Sequence, residues 1–268
     1  MHGRGYTPAG RYRVALADGR RVFAKVAVEE LTTGWLREEH LAYNNLRGPF
    51  IPELLGWDDD GVAPLLVLPD LGDGFLAPPW TPERVEAVRT SLEQLRGTHA
   101  PGLPSVERFA EMRTRWDRVA AAPEPFLSLG LVSARWLELN LPGLQEAAHS
   151  APMEGDEAMH FDVRSDNIAF VEGTAVLVDW NWASRGNAEL DLVAWLPSLR
   201  EEGGPEPDTL YSGAPELVAL VAGVWGSSAG LPPPPTADER LRPAQLAQLR
   251  VALPWTCRLL GLPPPDGG

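Results

Sequence analysis

The chain of 268 residues is long enough for one large or two small domains, and 44% hydrophobic content with ten tryptophans can build a substantial core. A net charge of −14 argues against nucleic acid as a partner, since phosphate binding needs clustered Lys and Arg. One cysteine excludes an intrachain disulfide, the start Met1-His-Gly-Arg-Gly-Tyr6 has no apolar signal core, and no apolar run approaches the roughly 18 residues of a membrane span, so a soluble protein of a reducing cytoplasm is expected.

In chain order, Tyr12–Ala17, Asp18-Gly19 and Arg21–Val28 predict a β-hairpin closed by a two-residue turn, because Asp-Gly tolerates the positive φ angles such a turn needs. Lys25 falls on its second strand and is the only lysine beside 22 arginines. In a chain so biased toward arginine, a lone lysine in an apolar strand suggests a place that fits a compact ammonium and not a broad guanidinium. The plainer alternative is a lysine reaching out from an edge strand.

Residues 34–46 carry apolar side chains at 35, 36, 41, 43 and 46, which predicts an amphipathic helix. Glu39 precedes Leu46 by seven and shares its face, so it is the candidate to pair with Lys25; Glu38, about 100° round the helix, is the alternative. Residues 51–57 and 63–68 read as two strands around the turn Asp58-Asp-Asp-Gly61, and the Pro- and Gly-punctuated stretch from Pro69 to Gly74 sets a boundary between residues 1–69 and 70–268.

Beyond it the pattern is helical. Thr81 is placed to cap a helix with Pro82 at its first position, running to about Gly97. Further helices are expected near 105–121, 132–149, 187–196, 214–229 and 237–261, with an acidic loop at 201–208 and a proline run at 232–235. His99 and His149 read as helix-end residues, no His or Cys spacing suits zinc, and Cys257 reads as a buried structural thiol. Residues 1–70 hold 8 basic and 10 acidic side chains, so −12 of the −14 lies in the remainder. That excess either attracts a cationic substrate or forms a solvated acidic surface.

The chemistry concentrates at residues 160–182. His160-Phe-Asp162-Val-Arg164-Ser-Asp-Asn167 is followed by two apolar runs, Ile168–Val171 and Ala175–Val178, about Glu172-Gly-Thr, and then by Asp179-Trp-Asn-Trp182. A tight hairpin through 168–178 folds Asp179 back beside Asn167. Oxygen ligands of this kind suit Mg²⁺, which is typically held by one or two carboxylates plus substrate phosphates. Asp162, offset from that pair, is left to accept a proton from a hydroxyl.

His160-x-Asp162-x4-Asn167 with Val178-Asp179-Trp180 resembles the aminoglycoside phosphotransferase and choline kinase-like family of small-molecule kinases, and Asp191-Leu-Val matches that family's later Asp before Leu-Ala. The resemblance runs over nearly the whole chain, with its strong motifs in residues 160–192. It departs at Phe161, where a small residue is usual, and at Arg164. It implies an α+β, two-lobed protein-kinase-like fold: a small antiparallel β-sheet lobe with one helix, and a larger, mainly α-helical lobe. It implies ATP (or GTP) and Mg as cofactors and a small-molecule acceptor, with no nucleic acid and no membrane. In these terms Lys25 holds phosphates and pairs with Glu39, the nucleotide base is bound by a backbone donor from Leu68, Asp70 or Leu71, and Asp162 is the catalytic base. Arg164 reaches the transferred phosphate, His160 orients the loop, Asn167 and Asp179 bind metal, and Asp191 supports the catalytic loop. Gly3–Gly10 either folds over the phosphates or frays. Two rivals stand beside this reading, a protein kinase and a non-enzymatic nucleotide-binding module. Ala214-Pro-Glu216 mimics the end of an activation segment, but Asp179 is followed by Trp-Asn where protein kinases have Phe-Gly, and Lys25, Asp162, Asn167 and Asp179 are all present.

Overall fold

The computed structural model describes residues 9–234 and 238–267. The chain forms two compact units, one made of the described residues up to Ser105 with Gly155–Asp191, the other of Val106–Glu154 with the described residues from Leu192 on.

The first unit opens with β1 (Gly10–Ala15) and β2 (Arg21–Val26), then α1 (Glu30–Asn45), β3 (Gly56–Asp58) and β4 (Leu65–Pro69). The four strands form an antiparallel sheet in the order β1-β2-β4-β3. The β1–β2 connection is not the two-residue turn expected from Asp-Gly. Ala15 pairs with Arg21, the five residues between them are closed by Leu16 N–H to Arg20 O at 2.8 Å, and of Asp18 and Gly19 only Gly19 has a positive φ (86°). Asp18 instead uses its carboxylate, accepting the Arg20 N–H at 3.0 Å. An Asx-type bond of this kind competes with the tight turn.

Helix α1 begins four residues earlier than the apolar period indicates, because Glu29 and Thr32 cap it reciprocally: the Thr32 hydroxyl oxygen accepts the Glu29 N–H at 3.1 Å. Its inner face buries Leu36, Glu39, Ala42 and Tyr43, while Glu38 is exposed. The strand expected at 51–57 reduces to Gly56–Asp58, and Pro52, which lacks an N–H, suits the irregular stretch before it.

The same unit holds α2 (Pro82–Arg96), which the Thr81 hydroxyl caps through the Arg84 N–H as its sequence indicates. Downstream of the second unit's first segment come β5 (Glu157–Met159), the hairpin β6 (Ile168–Val171) and β7 (Thr174–Leu177), and β8 (Ser184–Gly186), which pairs with β5. Glu172 and Gly173 turn the hairpin with φ of 49° and 83°, the two positive angles of a tight two-residue connection. Ser91 of α2 donates to Ala175 O at 2.6 Å and fastens the hairpin to that helix.

The second unit is helical: a 3-10 stretch Val106–Thr114 running into α3 (Arg115–Ala121), then α4 (Glu124–Leu127), α5 (Ala134–His149), the greater part of α6 (Glu189–Glu201), α7 (Pro215–Gly226) and α8 (Leu241–Leu260). The helix expected over 105–121 is therefore a 3-10 stretch, itself kinked where Phe109 leaves helical angles, followed by a short α-helix, and α4 is an addition. Trp116, fully buried, packs over Gly223 and Gly226 and donates its indole N–H to Ala219 O at 2.9 Å; a larger residue at Gly223 would meet the indole at 2.8 Å. Cys257 is buried and its thiol is pushed up to about 11 by desolvation, as expected of a structural cysteine.

Candidate functional site

The site lies within the first unit. Lys25 on β2 points at α1, and its Nζ stands 2.6 Å from Glu39 Oε2 and 2.5 Å from Asp179 Oδ1. Of the two glutamates left open by the helix period, burial selects Glu39, 1% exposed on the inner face. Burial alone would drive the Lys25 ammonium to lose its proton, but the charges of Asp179 and Glu39 outweigh it and hold the pKa above the ordinary lysine value. Desolvation raises Glu39 despite its lysine, whereas Asp179, a quarter exposed, is held below its ordinary value because Lys25 more than offsets burial.

Asp179 leaves β7 in a left-handed conformation, φ 68°, which turns its carboxylate away from the strand's line. Its neighbour Asn181 is placed to donate to the Asp179 carboxylate and carbonyl, both at 3.2 Å, while its amide oxygen accepts the Trp182 indole N–H at 3.1 Å. Trp180 is fully buried, donates to Leu177 O at 2.8 Å and meets the His160 ring edge-on at 4.5 Å.

The loop before β6 is held from three sides. Asp191 accepts the backbone N–H groups of His160 at 2.7 Å and Phe161 at 2.6 Å, and burial pushes its carboxyl up to about 7 against those two bonds. His160 Nδ1 accepts the Asp162 N–H at 3.2 Å, so Nε2 carries the proton it donates to Val178 O at 3.0 Å. Burial drives this imidazole down to about 4, so it is neutral and acts as a strut. Asn167 Nδ2 donates to Asp162 O at 2.9 Å and Asp162 Oδ2 at 3.0 Å, and the backbone bond from Val178 N–H to Asn167 O at 2.9 Å sets Asn167 beside the entry to Asp179.

Asp162 remains 29% exposed, and burial raises its pKa although Arg164 pulls the other way. Arg164 Nε is 3.7 Å from Asp162 and grips Asp166 with two nitrogens at 3.1 and 2.8 Å. Asp179 and the carboxamide oxygen of Asn167 are hard oxygen donors. Among the described residues no group of three or more His, Cys, Asp or Glu is placed to hold a metal ion.

Leu68 lies in β4 and Asp70 directly after it. Leu68 is buried opposite Phe23 of β2. The Asp70 carboxylate takes two 2.9 Å bonds from Arg13 Nε, and its N–H faces Arg21 O at 3.4 Å. Most of the glycine-containing stretch 3–10 lies outside the described residues.

No family model matches the sequence, and no curated relative does. A thermostable mutant of aminoglycoside phosphotransferase APH(4)-Ia, in its apo form, superposes over 95% of this chain and 91% of its own with a TM-score of 0.58 at 14% identity. The fold is the α+β, protein-kinase-like one. Amicoumacin kinase hAmiN, solved with AMP-PNP, Ca²⁺ and Ami, aligns over 90% of this chain and 84% of its own at TM-score 0.45 and 11% identity.

The first unit brings together Lys25, Glu39, Asp162, Arg164, Asn167, Asp179, His160 and Asp191. Asn181 and Trp180 were missed as supports. Their signal was the Asp-Trp-Asn-Trp run itself, polar and aromatic residues directly after a buried strand.

Proposed function

We propose that the protein is a small-molecule kinase that transfers the γ-phosphoryl group of ATP, with Mg²⁺, to a hydroxyl of a small acceptor, and that the acidic remainder of the chain favours a cationic one. The observation that carries this reading is Lys25 held between Glu39 at 2.6 Å and Asp179 at 2.5 Å, with Asp162 and Asn167 joined alongside. Phosphoryl transfer needs positioning and charge stabilisation more than covalent help from the protein. This arrangement supplies an ammonium for phosphate oxygens, a carboxylate and an amide oxygen for metal, and a base.

Asp162 orients the acceptor hydroxyl and takes its proton; burial raises its pKa and so strengthens the carboxylate as a base. Asn167 keeps that carboxylate turned outward. Mg²⁺ bound by Asn167 and Asp179 would neutralise charge on the phosphates. Lys25 keeps Glu39 as its fixed anchor, and Arg164, 3.7 Å from the base, is near enough to meet the phosphoryl group as it arrives. His160 and Asp191 hold the loop rigid through their hydrogen bonds to its backbone and to Val178 O. Residues 1–69 act as the nucleotide lobe, with the base bound near Leu68 and Asp70.

The test is ATP consumption by the full chain with Mg²⁺ across aminoglycosides, macrolides, sugars, choline and a generic protein substrate. Acceptor-dependent turnover on one small-molecule class supports the proposal. Turnover on protein alone, or none with any acceptor while Mg-ATP binds, refutes it.

A further inference from the structure

We propose that Arg11 is a second phosphate-binding residue whose guanidinium joins Lys25 on the nucleotide's polyphosphate. The inference rests on the nucleotide-binding reading above and adds a residue to it.

The β1–β2 register sets Arg11 directly opposite Lys25, and cross-strand partners project from the same face of a sheet. Alternation puts Arg13 on that face as well, with Arg21 beyond Lys25 on β2. The four cations divide between two groups of acids. Arg13 and Arg21 are taken by Asp70 and Asp73 at the end of β4. Lys25 binds Glu39 and Asp179, and the positive charge of Arg11 favours the ionised forms of both those carboxylates, so it stands within electrostatic reach of the same cluster. Arg11 is half-buried on β1, at the edge of the sheet, and donates from Nη1 to Ala9 O at 3.4 Å.

Charge balance supplies the chemical reason. A nucleotide triphosphate is a polyanion, this chain carries −14, and Lys25 is already shared by two carboxylates. Two cations against Glu39 and Asp179 make the cluster neutral, where Lys25 alone would leave it negative. A guanidinium also offers paired donors in a fork that matches phosphate geometry.

The experiment is calorimetric titration of the full chain with Mg-ATP and with adenosine, for the natural protein, Arg11→Gln and Arg11→Lys. Arg11→Gln should weaken Mg-ATP by about 10- to 100-fold and leave adenosine within about twofold, the range of a charge-assisted hydrogen bond. Arg11→Lys should restore part of the loss. Unchanged Mg-ATP affinity overturns the proposal, and so does an equal loss for both ligands, which would mark a role in sheet integrity. If the natural protein binds neither ligand, the nucleotide reading itself has failed and this inference falls with it; if it binds Mg-ATP and Arg11→Gln does too, only the inference fails.

Discussion

Lys25 Nζ lies 2.5 Å from Asp179 Oδ1, although 154 positions separate the two residues. The same ammonium meets Glu39, which is almost wholly buried, so removing it strands a carboxylate in the core. Breaking a buried ion pair from one side typically costs 3–5 kcal/mol. Lys25→Met should therefore lower the unfolding free energy by roughly 3 kcal/mol, and adding Glu39→Gln should recover part of it. Denaturant unfolding of the two single variants and the double variant measures this; strictly additive losses would show that the pair is not coupled.

Asp162→Asn keeps the shape and the bond to Asn167 but removes the proposed base. Turnover should drop by roughly 10² to 10⁴ while Mg-ATP affinity holds. Because burial raises the Asp162 pKa, the acid limb of kcat/KM in the natural protein should sit above the usual carboxylate range, with activity lost as pH falls through it. A steady-state pH profile checks both points, and undiminished turnover in the variant rules out the assignment.

Asp179→Ala removes the carboxylate proposed to bind the metal. Stabilisation by Mg-ATP in a thermal-shift titration should vanish, and the remaining nucleotide affinity should no longer respond to Mg²⁺. A Mg²⁺-dependent shift that survived would assign the metal elsewhere.

Asp191 gives a pH signature in stability. Its folded-state pKa of about 7 lies above the ordinary carboxylate value, so the folded chain holds this proton more tightly than the unfolded one. Its contribution is complete below pH ~4 and is lost as pH rises through about 7, a change of roughly 4 kcal/mol at most. Asp191→Asn cannot titrate, and it also leaves one of the His160 and Phe161 N–H groups facing an amide N–H. The variant should be less stable, and the gap between the two stability curves should narrow from pH 4 to pH 8. A constant gap would show that Asp191 is ionised throughout.

What the sequence determined by itself was local chemistry and the elements that carry it. His160-x-Asp162-x4-Asn167 and Asp179 twelve positions later marked the cluster that the proposal uses, the hairpin through Glu172-Gly173 was legible from its turn, and the lone lysine stood out against 22 arginines. These signals are short-range, set by spacing and backbone preference. Tertiary structure decided the rest. Glu38 and Glu39 are equal to the sequence, and only the packing of α1 buries one of them against Lys25. The start of α1 shifted because a Glu29–Thr32 cap outweighs apolar period, and the Asp-Gly hairpin opened because Asp18 found a backbone partner. Asn181 gained its place from the left-handed turn at Asp179, and Arg11 its place opposite Lys25 from strand register. Each of these depends on which distant groups share a desolvated space, where hydrogen bonds and charges are strong, and residue order alone does not encode that proximity.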